Sequence, residues 1–339
     1  MGRWFLIRLL WVLLTLLGVT FVTFFVLDRA PIDRAEIEAM AASEAGSFAD
    51  VQRRNEAVQR LRVRYGLLDP ETMEPYPLWR RYAAWLGNAA TLQLAGPGED
   101  NRALWRRLGE AVPVTMLLGG LSMLLAVGVG LPMGVWLGRR AGRNRERLWS
   151  AAMLVAVGVP EFLMATLLLL AFSVLWVQWF PISGLRSNGA EQWSFLWQLL
   201  DFAHHLTLPV LVMAVGPLVM VTRFVRDAVA RAAVAPFMTS LRALGVDRRV
   251  VGRRLLRHGA TPVATLAGGL LPMLVGGSIV VENLFALDGL GHLAFAAVVG
   301  LDQAMVMALV LLTSVVTLIA LLLSDVLHRL VDARVRLTD

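Results

Sequence analysis

The sequence of 339 residues contains no cysteine and no lysine, so all of its 32 basic residues are arginine. The absence of cysteine excludes disulfide bonds, thiolate metal sites and cysteine nucleophiles, although it leaves the compartment undecided. The absence of lysine excludes a phosphate-binding loop of the GxxxxGK[ST] type, because its lysine reaches the terminal phosphates of the nucleotide. Any ATP that this protein uses must therefore be bound by another polypeptide.

Charged residues are scarce, at 17% of the chain, whereas hydrophobic residues make up 57% and the mean hydropathy is +0.65. This composition is too apolar for a soluble domain of this size, so the chain is predicted to be an all-α integral membrane protein. Neither HExxH nor GxSxG occurs, so no zinc set and no serine nucleophile is visible. The chain is predicted not to be an enzyme, with no catalytic residue, no cofactor and no metal of its own.

About six apolar runs are long enough to cross a bilayer. The first run, 9–27, is uncharged and covers about 29 Å at 1.5 Å per residue. A cleaved signal peptide is the alternative, but the run exceeds a signal-peptide core and residues 28–31 make a poor cleavage site, which favours an anchor helix over residues 1–27. The predicted spans are 9–27, 112–137, 149–177, 206–225, 261–281 and 304–327.

Arginine in the short loops gives the predicted orientation. Loop 139–148 holds five arginines and one glutamate, and segment 223–258 holds nine arginines and two aspartates, whereas loops 178–205 and 282–303 share a single arginine. The two arginine-rich loops are predicted to be cytoplasmic, as are both termini. Residues 28–111 then form an external polar insertion, and residues 112–339 a core of five helices. The same placement explains the net charge of +7, so no nucleic-acid partner is predicted.

A short helix is predicted directly after the fourth span. Pro236 suits the first turn of a helix and Gly245 suits its C-terminal stop, which gives about two and a half turns. Asp247 can then cap a second short helix.

An apolar stripe runs along this predicted helix. Phe237, Leu241 and Leu244 recur at i, i+4 and i+7, with Met238 beside them, in a loop that is otherwise rich in arginine. The stripe either packs under the spans of the same chain or inserts into a groove on a cytoplasmic partner. Periodicity does not choose between the two.

Segments along nearly the whole chain resemble one family of membrane proteins. SLRALG at 240–245 is similar to the TARAKG segment in permease subunits of ATP-binding-cassette (ABC) importers for dipeptides, oligopeptides and nickel. VVENLF at 280–285, followed by Gly289, Leu290 and Gly291, is similar to the family's VVETVFSWPGLG. Further matches, in the family's order, are LGVTF at 17–21, RYGL at 64–67, GVPEF at 158–162, FPISG at 180–184, LTLPV at 206–210 and VDARVR at 331–336.

The resemblance implies a type I ABC importer permease fold in the bacterial cytoplasmic (inner) membrane. It implies alternating-access import of dipeptides, oligopeptides or modified peptides, beside a homologous second permease. Two ATPase subunits would bind ATP and Mg and contact the cytoplasmic loops, and a periplasmic or lipid-anchored binding protein would deliver substrate. The helix that couples to the ATPases would comprise Phe237, Met238, Ser240, Leu241, Arg242, Ala243, Leu244 and Gly245.

Two carboxylates in apolar surroundings are further candidates. Glu161 lies about twelve residues into the third predicted span, where an ionised side chain is costly unless it is paired or hydrated. It either faces the translocation path and contacts a peptide amine, or belongs to a helix contact as an ion pair or protonated acid. Glu282, with Gly289 and Gly291, belongs to the external loop motif, and a structural role there is at least as well supported.

The alternative function is a carrier or channel driven by an ion gradient. It predicts activity without ATPase partners and an inverted repeat between the two halves of the chain. No clear repeat is visible, and the apolar stripe would be left unexplained.

Overall fold

A computed structural model describes residues 2–29, 34–44, 51–96, 99–176, 179–247, 250–255 and 278–331. These residues are almost entirely helical, and none of them belongs to a β-strand. The helices are α1 (Gly2–Asp28), α2 (Arg34–Glu44), α3 (Val51–Arg64), α4 (Leu78–Ala90), α5 (Asn101–Gly138), α6 (Asn144–Gly158), α7 (Glu161–Leu170), α8 (Phe195–Val234), α9 (Pro236–Ala243), α10 (described over 250–255), α11 (Ile279–Leu284), α12 (Leu290–Val299) and α13 (Gln303–Val331). A π-helical turn follows α7 at Ala171–Leu175.

Four helical segments are long and apolar enough to cross a membrane, namely Leu6–Asp28, Asn101–Gly138, Phe195–Val234 and Gln303–Leu323. They confirm the spans predicted at 9–27, 112–137 and 206–225 and most of the one at 304–327. The span predicted at 261–281 lies almost wholly outside the described residues. The chain is therefore an all-α, multi-pass membrane protein, as its composition predicts.

The third predicted span is broken into two helices. Helices α6 and α7 meet at an angle of 91° across Val159 and Pro160, so the span predicted at 149–177 is sharply bent and forms either a broken span or a re-entrant loop. The kink at Pro160 has a local cause, because proline lacks a backbone donor and holds the preceding residue in an extended conformation. Val159 accordingly has ψ of 121°. The bent pair makes a fifth span if it is counted as one.

The chain divides into two compact units. Unit 1 is Met1–Ala111 with Leu293–Val315, and unit 2 is Val112–His292 with Val316–Asp339. In unit 1, α2 packs on α3 through Ala35, Ala39 and Val58, with an ion pair of 2.6 Å between Arg62 and Glu36. Helix α4 packs on α1 through Tyr82, whose hydroxyl group donates to the carbonyl oxygen of Leu17.

Three glycines bring α5 against α8 in unit 2. Gly130, Gly134 and Gly138 recur every fourth residue, so they lie on one side of α5. A Cβ atom added at Gly134 would lie 2.7 Å from the carbonyl oxygen of Thr222 and 2.7 Å from Cβ of Val225. Small residues at this spacing are the usual means of close helix packing in membranes. The two backbones therefore touch where any other residue would hold them apart.

We predict that Gly134→Ala lowers the stability of the purified protein by about 1–3 kcal/mol, because the added methyl group overpacks a backbone contact. Thermal unfolding in detergent measures the effect as a lower Tm. Gly128→Ala, on the same helix with nothing within 4 Å of its added Cβ, is the matched control. Equal Tm values for the two variants would contradict the close contact.

Candidate functional site

Helix α9 follows α8 with one residue, Ala235, between them, and both of its predicted ends are confirmed. Pro236 is its first residue, and Gly245 after its end has φ of +69°, which glycine adopts without strain. The N–H group of Val246 donates to the carbonyl oxygen of Leu241 at 3.1 Å, which closes the last turn. Residues 250–255 are also helical, and the carbonyl oxygen of Asp247 accepts from Val251 at 3.1 Å, as expected where a second short helix begins.

The sequence left open whether the apolar stripe of α9 packs on its own chain or on a partner. In the structure, one part of the stripe is buried in its own chain and the other part is exposed. Met238 is 0% exposed and Leu241 is partly buried, and both pack on the same chain. Met238 belongs to a core that we call the Met238 cluster, and Leu241 packs against it. The cluster comprises Val135, Val221, Val225, Val229, Met238, Val251 and Leu255. The inner part of the stripe thus joins α9 to α5, α8 and α10.

The other residues of the stripe are more exposed. Phe237 is 42% exposed and Leu244 is 78% exposed. The hydroxyl group of Ser240 donates to the carbonyl oxygen of Pro236 at 3.1 Å, so it stabilises the helix itself. Ala243 is exposed beside Leu244, and the side chain of Arg242 is outside the described residues. Phe237 and Leu244 thus present apolar surface roughly a third of a turn around α9 from Met238.

An ion pair between a buried carboxylate and a half-buried arginine joins α6 to α8 shortly before α9. Glu146 is buried, and its Oε1 atom accepts from Nη2 of Arg226 at 2.8 Å and from the hydroxyl group of Ser150 at 2.9 Å. Its Oε2 atom accepts from the N–H group of Gly142 at 3.1 Å, and Arg226 also donates to Asp227 at 2.7 Å. A buried carboxylate needs such partners, since an unpaired charge there costs several kcal/mol. In the sequence, Glu146 and Arg226 are charged residues of two separate predicted loops, and no local pattern predicts that they form an ion pair.

The carboxylate of Glu282 closes the N-terminal end of α12. Glu282 is 0% exposed, and its Oε2 atom accepts from the N–H groups of Gly291 at 2.6 Å and His292 at 3.1 Å. Thr115 of α5 donates its hydroxyl group to Oε1 of Glu282 at 2.9 Å and accepts from the N–H group of Leu290 at 2.8 Å. Three backbone donors that a helix leaves unsatisfied at its start thus find acceptors here. We call Glu282, Thr115 and residues 289–292 the Glu282 cap.

The two glycines of the external loop motif are required by this cap. A side chain at Gly289 would collide with the Glu282 carboxylate and place its Cβ atom 2.7 Å from Oγ1 of Thr115. A Cβ atom at Gly291 would lie 2.8 Å from Cα of Ile279. The structure therefore brings Glu282, Gly289 and Gly291 together. Thr115 was missed, because nothing in the sequence links it to a residue so far along the chain.

Glu161 is the first residue of α7, directly after the break at Pro160, and its side chain is exposed. It is therefore not twelve residues inside a continuous helix. The positive end of the α7 dipole favours a carboxylate at this position, and the hydroxyl group of Ser278 is its polar neighbour. The break thus supplies an exposed carboxylate on unit 2.

Comparison with known proteins finds one family profile and several individual proteins that are similar to this chain. The profile described as "Binding-protein-dependent transport system inner membrane component" matches residues 130–337. The chain is 27% identical over 328 residues to the oligopeptide transport system permease protein AppB of Bacillus subtilis, which covers 94% of this chain and 95% of that protein. It is 26% identical over 339 residues to the dipeptide transport system permease protein DppB of Lactococcus lactis, which covers 99% of this chain and 100% of that protein. The inner membrane ABC transporter permease protein YejB of Escherichia coli O157:H7 is 25% identical over 363 residues, 99% of each chain.

We predict that Glu282→Ala lowers the stability of the purified protein by about 3 kcal/mol or more, because it leaves the donors of Gly291, His292 and Thr115 buried without an acceptor. Glu282→Gln should lose less, because its amide oxygen still accepts. Thermal unfolding checks both, with Asp288→Asn, an exposed neighbour, as the control. The cap would be refuted by a Glu282→Ala protein as stable as this control.

Proposed function

Because the chain belongs to the family of binding-protein-dependent transport system inner membrane components, we propose that it is the permease subunit of an ABC importer that carries peptides across the bacterial cytoplasmic membrane. The substrate class is supported by relatives that are named for oligopeptide and dipeptide transport and that align over nearly their whole length. Dipeptides, oligopeptides and modified peptides are the substrates that we propose.

The proposal places ATP on other chains. The sequence lacks the lysine of a phosphate-binding loop, so ATP and Mg would be bound by two ATPase subunits rather than here. A homologous second permease would complete the translocation path, and an external binding protein, periplasmic or lipid-anchored, would deliver the peptide. The arginine-rich loops support an orientation with both termini in the cytoplasm.

The observation that carries the proposal is the two-sided packing of α9. Its inner side is fixed in the Met238 cluster, and its outer side presents Phe237 and Leu244. A short helix with outward apolar anchors suits insertion into a hydrophobic groove of a partner. We infer that the ATPases hold α9 in such a groove, and that their closure on ATP moves α9 together with α8 and tilts the spans.

Glu161 is our candidate for the translocation path. The break before α7 exposes its carboxylate, which is a suitable partner for the amine of a peptide. Glu282, Gly289 and Gly291 have a different part in the proposal, since they fix the start of α12 and do not contact substrate.

We predict that the double variant Phe237→Asp and Leu244→Asp no longer co-purifies with ATPase subunits from native membranes, because two charges would have to be buried in the groove. Met238 and Leu241 are left unchanged, since they hold α9 to its own chain. The measurement is the amount of ATPase subunit and of ATP hydrolysis recovered with the chain.

Trp79→Asp is the control, because Trp79 is an exposed apolar residue of α4 in the predicted external segment. It should retain the ATPases. If no ATPase accompanies the unaltered, folded chain, the importer assignment fails and the ion-driven carrier takes its place. If the double variant keeps its ATPases, α9 is not the coupling helix.

A further inference from the structure

Unit 1 contains a cleft of about 400 Å³, and all of its lining residues belong to that unit. The wall includes the last turn of α1 and the first turns of α13, which are ends of the membrane-crossing segments Leu6–Asp28 and Gln303–Leu323. Nε2 of Gln303 donates to the carbonyl oxygen of Leu27 at 3.4 Å, so these two ends lie side by side. The cleft is therefore at the depth where the hydrocarbon core of a bilayer meets the headgroups.

The cleft carries a net positive charge. Among the described residues, its wall holds three charged side chains, Asp28, Arg80 and Arg81. Nη1 of Arg81 lies 2.5 Å from Oδ1 of Asp28, so these two charges neutralise each other. Arg80 forms no ion pair within the described part of the chain. One positive charge is therefore left over.

The guanidinium group of Arg80 is held in place by an aromatic ring. Its Cζ atom lies 4.2 Å from the centre of the Tyr76 ring, which also lines the cleft. Contact with the face of a ring orients a guanidinium group and leaves its N–H groups available to an acceptor. Arg80 lies in the predicted external segment, so the preference of arginine for cytoplasmic loops does not account for it.

Apolar side chains form most of the rest of the wall. They come from three helices and include Phe24 and Leu27 of α1, Ala84 of α4, and Ala304 and Met307 of α13. Those of α1 and α13 belong to membrane-crossing segments. This part of the wall therefore lies at the depth of lipid acyl chains, beside the charged part.

These two parts of the wall together restrict the ligand. A free anion would satisfy Arg80 but would leave the apolar wall in water, at a cost in proportion to its area. A cation would meet a net positive charge. An anionic phospholipid matches both parts, because its phosphate accepts charge-assisted hydrogen bonds from arginine and its acyl chain covers the apolar wall.

We propose that this cleft binds one anionic phospholipid, with its phosphate at Arg80 and an acyl chain against Phe24, Leu27 and Met307. Nη2 of Arg81 is a second donor to the phosphate, since Arg81 uses Nη1 for Asp28 and Nε for the carbonyl oxygen of Tyr76. The bound lipid joins α4 to the ends of α1 and α13. The proposal is therefore independent of the transported substrate.

The test is native mass spectrometry of the full-length chain, titrated in detergent with dioleoyl-phosphatidylglycerol or dioleoyl-phosphatidylcholine. We expect one saturable site that binds phosphatidylglycerol about fivefold more tightly, which is the effect of one arginine at a membrane surface. Arg80→Gln should abolish this preference. Arg106→Gln is the control, because Arg106 is an exposed arginine of unit 1 that does not line the cleft, and it should keep the preference.

A pair of alanine variants on α4 tests the acyl-chain contact. Ala84→Trp places an indole ring in the cleft, so we expect it to weaken phosphatidylglycerol binding about tenfold or more, as its apolar wall is no longer open to the lipid. Ala83→Trp is the matched control, since Ala83 is its exposed neighbour and does not line the cleft. Its affinity should be unchanged.

Equal affinities for the two lipids, or an unchanged preference in Arg80→Gln, would overturn the proposal. Equal effects of the two tryptophan variants would also overturn it, because binding would then not depend on the cleft. Inorganic phosphate in excess is added as a competitor. Displacement of the lipid by phosphate, with full binding in Ala84→Trp, would identify a site for a free anion and would contradict a lipid site.

Discussion

The burial of Met238 against α8 is the interaction on which the proposed coupling through α9 depends. A fully buried methionine contributes about 1.5–3 kcal/mol relative to an exposed one, and here it fixes an eight-residue helix that is too short to be stable by itself. Because α9 follows α8 after a single residue, the contact leaves little freedom between the two helices. Helix α8 makes two further contacts. It packs against the glycines of α5, and the ion pair between Glu146 and Arg226 joins it to α6. A displacement of α9 would therefore be transmitted to α5 and α6 through packed side-chain and backbone contacts of α8.

Buried charges in unit 2 have structural tasks that follow from the cost of burying them. Glu146 accepts from Arg226, Ser150 and Gly142, and Glu282 accepts from Thr115 and the start of α12. Each carboxylate replaces the water that its donors would otherwise require. Glu161 differs from both, because it is exposed at a helix start. That difference is why we propose Glu161, rather than Glu282, as a contact of the substrate.

Local signals in the sequence predicted local features well. Pro236 and Gly245 define α9 because helix starts and stops depend on a few neighbouring residues, and apolar runs identify the spans because the bilayer requires about twenty apolar residues. The 91° break at Pro160 exceeds what a single proline specifies. The Glu146–Arg226 and Thr115–Glu282 pairs join residues far apart in the chain, which periodicity does not reveal. No prediction used the spacing of Gly130, Gly134 and Gly138, because the sequence does not show which helix they face. The sequence also did not show which residues of the α9 stripe are buried, since this depends on how Met238 packs.

The rigid connection of α9 to α8 is the central claim, and the absence of cysteine from the chain makes it directly measurable. Spin labels on Phe224→Cys of α8 and Ser240→Cys of α9, both exposed positions, give the distance across Met238 by pulsed electron paramagnetic resonance in the assembled transporter. Labelled protein that still binds its ATPases is compared with and without a non-hydrolysable ATP analogue. The account predicts one narrow distance distribution that nucleotide does not shift. A broad distribution, or one that moves with nucleotide, would show that α9 slides on α8 and would contradict it.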